Sequence, residues 1–331
     1  MHRMKAVLFD GSGGPEVVRL GDTAEPAPGR GEVLVRVRAA AMNRADLLQR
    51  RGLYPPPAGT RPDVPGLELA GEVVRAGEGV AAWRAGERVM AISSGEGQAE
   101  LAVVHERMLL PIPDGLSFEE AAALPEAGIT AHDALFTLGG LRPGWPVLVH
   151  AIGSGVATIA LQLAKAAGAT VIGTSRTPEK LARARQLGLD HGIAVGRDAP
   201  RFADEIRQLT GGRGCPLIVD FVGAAYAEEN LACVATLGRI VIVGTMGGGG
   251  AAVDYRLLMQ RRASVVGTTL RMRPLEEKIA ATQAFARDVL PLVVSGRVRP
   301  VVDVVLPAAS AREAHERMER NESFGKIVLK F

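Results

Sequence analysis

Two cysteines, Cys215 and Cys233, are too few to make a disulfide framework in a chain of 331 residues, so both read as small buried apolar residues. No run approaches the eighteen uninterrupted apolar residues of a membrane-crossing helix. The opening segment, Met1-His-Arg-Met-Lys-Ala-Val-Leu-Phe-Asp, passes from basic residues straight into a strand-like run. It lacks the apolar stretch and cleavage site of a secretory signal, and a cytoplasmic protein is expected. Charge of one sign is also missing. With 39 Lys and Arg against 36 Asp and Glu, the net +3 carries the isoelectric point to about 9.1 only because few groups titrate between neutrality and the pKa of lysine. That balance gives no footprint for nucleic acid. Arg50-Arg51 and Arg261-Arg262 are expected on solvated surface. Internal repeats and low-complexity tracts are absent, and only three tyrosines occur.

What is present suffices for two domains with substantial cores, since 47% of the residues are hydrophobic. From Lys5 to Pro113 short strand-like runs alternate with Gly- and Pro-rich turns: Ala6 to Phe9, Val17 to Leu20, Glu32 to Val37, Leu69 to Val74, Arg88 to Ile92 and Ala99 to Val104. At Ser117-Phe-Glu-Glu120 a capping box opens a helical stretch. Strands and helices then alternate, with near-continuous apolar runs at Leu217 to Phe221 and Arg239 to Val243 that suit a parallel sheet covered on both faces. After about Arg271 the pattern gives a helix over Leu275 to Val294, a strand over Val301 to Leu306, a helix over Ser310 to Arg320 and a last strand from Lys326.

One segment carries chemistry. Val147-Leu-Val-His reads as a strand, Ala151-Ile-Gly-Ser-Gly-Val-Ala157 as a glycine turn, Thr158 to Ala167 as a helix and Thr170 to Thr174 as a second strand. This is the layout of a dinucleotide-binding βαβ unit, whose small residues let a pyrophosphate reach the backbone N–H groups at the helix N-terminus. The fingerprint is imperfect: Gly153 and Gly155 are followed by Thr158 where a third glycine belongs, and Ala157 takes the small position one residue away. An NAD site presents Asp or Glu about twenty residues past the turn. This chain has Gly173-Thr174-Ser175-Arg176 there, which points to NADP(H). Ser175, Arg176 and Lys180 can supply donors and positive charge to a 2′-phosphate.

Strands first, βαβ second and a tail able to rejoin the first part make an architecture that resembles the medium-chain dehydrogenase/reductase superfamily. Asn43-Arg-Ala-Asp46, Pro65-Gly-Leu-Glu-Leu-Ala-Gly71, Leu124-Pro-Glu-Ala-Gly-Ile-Thr-Ala131 and Phe324-Gly-Lys-Ile-Val-Leu are similar to its quinone oxidoreductase, or zeta-crystallin-like, branch. Asn43 to Gly52, Tyr54-Pro-Pro-Pro57 and Met246-Gly-Gly-Gly249 are further similar to the type induced by the p53 tumour suppressor. The resemblance implies an α/β protein: a GroES-like, mostly β catalytic domain over 1–124, an inserted Rossmann parallel-sheet domain over 125–271 and a return to the catalytic domain over 272–331.

The same resemblance bears on metal. Zinc members carry a ligand Cys where this chain has Asn43, and a His where Leu67 precedes Glu68. No cysteine occurs from Arg88 to Ala102, so no metal is expected. Without one, the chemistry left is hydride transfer from NADP(H) to a readily reduced acceptor, with protein groups positioning the reactants. The resemblance places Asn43 and Thr130 by the nicotinamide half and Tyr54 over the substrate, with Ser154 in reach of both. Gly153 to Val156 would hold the pyrophosphate. Gly223 and Gly244-Thr245-Met246-Gly247 follow strand ends where ligands bind, and Phe324 and Lys326 complete the cofactor set.

Each assignment has a plainer counterpart. Asn43 can cap the helix through Asp46, Tyr54 can be a packed surface aromatic, Thr130 can bond its own helix, and Arg176 and Lys180 can be solvated. In related reductases a Tyr stacks near the adenosine where this chain has Val195, with Arg197 a partial substitute. An NADPH-dependent quinone reductase is the leading expectation. An alkenal or enone reductase and a non-enzymatic NADPH-binding structural or regulatory protein are the alternatives. Ser264 to Leu270, a β-branched run at the end of the Rossmann sheet, implies pairing across a two-fold axis in a homodimer.

Overall fold

The computed structural model describes residues 2–196 and 200–331. The first part of the chain forms β1 (Arg3–Phe9), β2 (Val18–Ala24), β3 (Glu32–Ala41), α1 (Arg44–Arg50), β4 (Glu68–Ala76), β5 (Arg88–Ile92), β6 (Leu101–His105), β7 (Leu109–Pro111), α2 (Phe118–Ala122) and α3 (Pro125–His132). The middle forms β8 (Pro146–Val149), α4 (Gly155–Ala166), β9 (Thr170–Ser175), α5 (Pro178–Gln186), β10 (His191–Ala194), α6 (Ala203–Leu209), β11 (Cys215–Asp220), α7 (Ala227–Cys233), β12 (Val234–Ile242), α8 (Tyr255–Arg261) and β13 (Ser264–Gly267). The tail forms α9 (Leu275–Asp288), α10 (Leu290–Val294), β14 (Val302–Pro307), α11 (Ala311–Glu319) and β15 (Lys326–Lys330).

Two compact units result. One comprises residues 1–129, 270–295 and 300–331, the other residues 130–269 and 296–299. In the first unit β1 and β2 form an antiparallel pair, and seven strands join in the order β14-β15-β3-β4-β5-β7, with β6 also on β3. The tail closes this sheet through β15, antiparallel to β3 with Val328 opposite Ala41. The anticipated capping box is present, with the Ser117 hydroxyl accepting from Glu120 N–H and the Glu120 carboxylate from Ser117 N–H.

In the second unit six strands run parallel in the order β10-β9-β8-β11-β12-β13. Numbered along the chain, this is the doubly wound order 3-2-1-4-5-6, whose direction reverses between β8 and β11. Val147, Leu148, Val149, Leu217, Ile218 and Val219 are fully buried, as strands covered on both faces require. Helix α4 buries Ile159, Leu161 and Leu163 and is followed by Gly168 in the left-handed region at φ +78°, the C′ position where a Cβ is unwelcome.

Three expectations change. Helix α4 starts at Gly155, three residues before Thr158, because Ser154 acts as its N-cap. The helix foreseen over 275–294 is two, since Pro291 has no N–H to continue the ladder. Arg50 is buried, not solvated: it lies on the face of α1 toward α11, where it bonds Glu319, the Gly13 carbonyl at 3.1 Å and His315 Nδ1 at 3.3 Å. Burial and the adjacent Arg50 push His315 down to about 3, which keeps its ring neutral and able to accept. Both cysteines are buried and free, and burial pushes the Cys215 thiol up to about 12.

Candidate nucleotide and substrate site

In the second unit the turn after β8 is built by its backbone. Ser154 N–H donates to the Ala151 carbonyl at 2.8 Å and Ile152 N–H to the Thr174 carbonyl at 2.9 Å, tying the turn to β9. Ala151 sits at φ +47°, a conformation costly for any residue with a Cβ. Ser154 Oγ accepts from Ala157 N–H at 3.3 Å, so its hydroxyl is the N-cap of α4. Ser154, Gly155 and Val156 are partly accessible. Unlike Ala157, neither Gly155 nor Val156 donates its N–H to an acceptor among the described residues. Two free donors at the positive end of a helix are suited to a diphosphate. Gly173 lets the turn sit this close to β9, since a Cβ there would lie 2.8 Å from Ile152 Cγ1.

At the end of β9, Ser175 Oγ accepts from Thr177 N–H at 3.2 Å, Arg176 is exposed and Lys180 is half-buried in the first turn of α5. Thr174 is fully buried, and its hydroxyl lies 2.8 Å from His150 Nδ1. Val195 is also in the core, packed with Phe202 and Leu148. Arg197 lies outside the described residues.

Past β11 and β12 two loops are joined by their backbones. Gly247 N–H donates to the Val222 carbonyl at 2.7 Å and Ala224 N–H to the Gly248 carbonyl at 2.9 Å. Gly223, at φ +79°, leaves no room for a Cβ, which would lie 2.8 Å from the Gly248 carbonyl oxygen. Gly244 donates to the Asp220 carbonyl, Thr245 accepts from Gly248, and Met246 is exposed. Thr130 is half-buried on α3.

The first unit holds a buried cluster of charge. Asn43 stands at the N-cap of α1, its backbone N–H donating to Asp46 Oδ2 at 2.7 Å. Its side chain looks elsewhere, donating to Glu68 Oε1 at 3.0 Å and accepting from Lys326 Nζ at 2.7 Å. Lys326 also pairs with Glu68 at 2.5 Å, so its ammonium is committed inside this cluster. Glu68 Oε2 accepts from Glu126 N–H at 2.9 Å. Burial, with the Glu68 charge beside it, pushes the Glu126 carboxyl up to about 8, and burial pushes Asp46 up to about 6. Phe324 is buried, its N–H donating to Asp303 Oδ1 at 3.2 Å.

Tyr54 is half-buried under Arg271, whose Cζ lies 5.2 Å from the ring centroid and whose Nη1 donates to the Tyr54 carbonyl at 3.1 Å. Arg271 is held in turn by Ser94 O and Gln49 Oε1. Lys278 Nζ donates to Ser94 Oγ at 2.5 Å.

Sequence reasoning missed Glu68, Glu126, Arg271, Lys278 and His150. A signal existed for two of them: Glu68 interrupts the apolar run Leu67 to Ala70, and His150 ends the apolar strand Val147 to Val149.

Residues 29–114 match the family model of the alcohol dehydrogenase GroES-like domain, and residues 155–287 that of zinc-binding dehydrogenases. Quinone oxidoreductase of Pseudomonas aeruginosa is 36% identical over 98% of this chain and 99% of its own length. The chain belongs to the quinone oxidoreductase branch of the medium-chain dehydrogenase/reductase superfamily. Human quinone oxidoreductase is another relative in this superfamily, 30% identical over 98% of this chain and 97% of its own. A solved quinone oxidoreductase of Pseudomonas syringae superposes with a TM-score of 0.88 at 32% identity, covering 99% of this chain and all of that one. A mycobacterial structure complexed with NADPH gives 0.88 at 31% identity over the same shares. The protein is therefore an oxidoreductase with a GroES-like unit and a Rossmann-type parallel sheet, and among its described residues no helix is long and apolar enough to cross a membrane.

Proposed function

We propose that this protein is an NADPH-dependent quinone oxidoreductase that transfers hydride to a quinone without a metal. One observation carries the cofactor half of the reading: at the end of β9, where an acidic residue would receive a ribose 2′-hydroxyl, the chain has Ser175 and the exposed cation Arg176, with Lys180 on the following helix. The NADPH complex of a superfamily relative supports it. A solved relative described as an NAD-dependent alcohol dehydrogenase, 35% identical, shows that the superfamily also admits the other choice.

For the metal-free half, the donor set supports the reading. Asn43 and Glu68 already share a cation, the Lys326 ammonium. Among the described residues no group of three His, Cys, Asp or Glu is arranged to hold a metal ion. Soft and imidazole ligands, which a tetrahedral zinc site requires, are missing from this cluster. Bound NADPH would supply the hydride. Gly155 and Val156 N–H would orient its pyrophosphate, the joined loops at Gly223 and Gly244 to Gly247 would hold the nicotinamide half, and Tyr54 would flank the acceptor. The exposed strand β13 at the sheet edge, with Val265 44% accessible, supports a homodimer formed by sheet pairing, in the cytoplasm.

The test follows NADPH oxidation against ortho-quinones, para-quinones and short enones, with metal content measured on the same sample. Turnover on quinones without stoichiometric zinc is expected. Turnover on enones alone would replace the acceptor, and tight NADPH binding with no turnover would leave a binding protein.

A further inference from the structure

Beneath the nucleotide face of the second unit lies a hydrogen-bonded chain of fully buried side chains. Thr174 and His150 are 0% exposed, and Asn230 and Asp220 1%. Its polarity can be worked out from one end. Asn230 Nδ2 donates to Asp220 Oδ2 at 2.9 Å; the flipped amide would set oxygen against a carboxylate. Asn230 Oδ1 is then the acceptor facing His150 Nε2 at 2.7 Å, so Nε2 carries the ring proton. Burial pushes His150 below its ordinary range, the ring is neutral, and bare Nδ1 accepts the Thr174 hydroxyl at 2.8 Å. At the far end Asp220 Oδ1 receives Val222 N–H at 2.6 Å and Gly223 N–H at 3.1 Å.

The strands joined this way are not all neighbours. Strands β9 and β11 flank β8 and are not paired with each other; each is laddered to β8, with Val149 opposite both Gly173 and Val219, and the side-chain chain lies just beyond the last of these rungs. His150, immediately after β8, adds a side-chain link between them, directly to Thr174 and through Asn230 to Asp220. The ring clusters with Phe202 and Tyr226, at centroid distances of 4.9 and 4.8 Å in tilted and edge-on contact. A whole dinucleotide spans these two strand ends, whereas half of one touches only the first.

We propose that His150 is a positioning residue of the nucleotide site, setting the separation between the segment that takes the 2′-phosphate end of the cofactor and the loop that takes its nicotinamide end. The inference rests on the nucleotide reading above. Loss of the chain lets the two subsites drift, and sub-ångström misplacement is enough to weaken a ligand that must satisfy both.

The test compares Thr174→Val, which keeps shape but removes the donor to Nδ1, with Thr174→Ser, which keeps the hydroxyl. Titrations use NADPH and the half-molecule 2′,5′-ADP. Thr174→Val is expected to weaken NADPH about tenfold while 2′,5′-ADP changes less than about threefold, and Thr174→Ser to restore NADPH to within about threefold of the parent. Nitrogen-15 spectra of the parent, with the ring assigned through His150→Phe, should show a neutral Nε2–H tautomer that does not titrate between pH 6 and 8. Equal weakening of both ligands, Val and Ser variants alike, or a ring that titrates in that range would each overturn the role. A parent that shows the expected binding pattern but reduces no quinone or enone refutes the reductase reading alone; a parent that reduces them without the pattern refutes the positioning role alone.

Discussion

Lys326 Nζ lies 2.5 Å from Glu68 Oε1, with the two side chains 6% and 0% exposed, and the same ammonium donates to Asn43 Oδ1. A buried ion pair of this kind contributes little net stability over an apolar substitute, but breaking it strands a charge. Lys326→Met should therefore cost about 3–5 kcal/mol, and adding Glu68→Gln should return a large part of it. Urea unfolding of both variants checks this; a loss below about 1 kcal/mol in the single variant would show that Glu68 finds another partner or a proton.

Ala151 occupies the left-handed region at φ +47°. The conformation costs a residue with a Cβ about 1–2 kcal/mol, against roughly 0.5–1 kcal/mol of extra chain entropy lost by glycine on folding. The balance favours Ala151→Gly by about 0.5–1 kcal/mol, seen as a raised denaturation midpoint with unchanged slope. A neutral or destabilising result would mean that the methyl group packs favourably enough to offset the strain.

Cofactor choice should follow charge at the end of β9. NADPH is expected to bind at least about tenfold tighter than NADH, about 1.4 kcal/mol, within reach of one charge-assisted contact. Replacing Arg176 and Lys180 together by Ala should close most of that gap by weakening NADPH and sparing NADH. Fluorescence titration of both nucleotides decides it, and equal affinities in the parent would remove the argument.

Stability should depend on pH through Glu126. Burial, and next the Glu68 charge, lift its carboxyl from 4.5 to about 8 in the folded protein, so the native state keeps a proton that the unfolded chain releases. That contribution is complete below about pH 4.5 and is lost as pH climbs through 8. Asp46, lifted from 3.8 to about 6, acts in the same sense over a lower window. The unfolding free energy should fall between about pH 5 and 8 in the parent, level off above that, and fall less in Glu126→Gln; parallel curves would rule out Glu126 as the source.

Tyr54→Phe should lower turnover only modestly, because the contact of its ring face with Arg271 and the bond to its carbonyl survive the change. Arg271→Met should be the more damaging, since it releases Tyr54, Gln49 and Ser94 together. Steady-state kinetics on a quinone compares the two, and complete loss in Tyr54→Phe with NADPH affinity intact would instead mark the hydroxyl as an essential acid.

The glycine turn and its flanking strands were legible because period, small residues and the missing acid are local signals. The start of α4 was misplaced because a serine between two glycines reads as loop until its hydroxyl is seen on Ala157 N–H. Arg50 was misread because an arginine pair on a polar helix end looks solvated, and only α11 reveals the partner. The Asn43–Lys326 bond joins positions near opposite ends of the chain, and no pattern within a window of sequence encodes it. The His150 chain was hidden for the same reason: its members sit at the ends of three strands and on one helix, each unremarkable until the sheet orders them.

The pairing of Ala41 with Val328 has a consequence for synthesis. Translation completes the six parallel strands of the second unit while β3 still lacks one neighbour, so that unit can fold before the first can close its sheet. Lys326 leaves the ribosome after the whole of the second unit, and until it arrives Glu68 and Asn43 must wait in water or behind a chaperone. A nascent chain stalled before β15 should therefore show a protease-resistant middle and a digestible beginning.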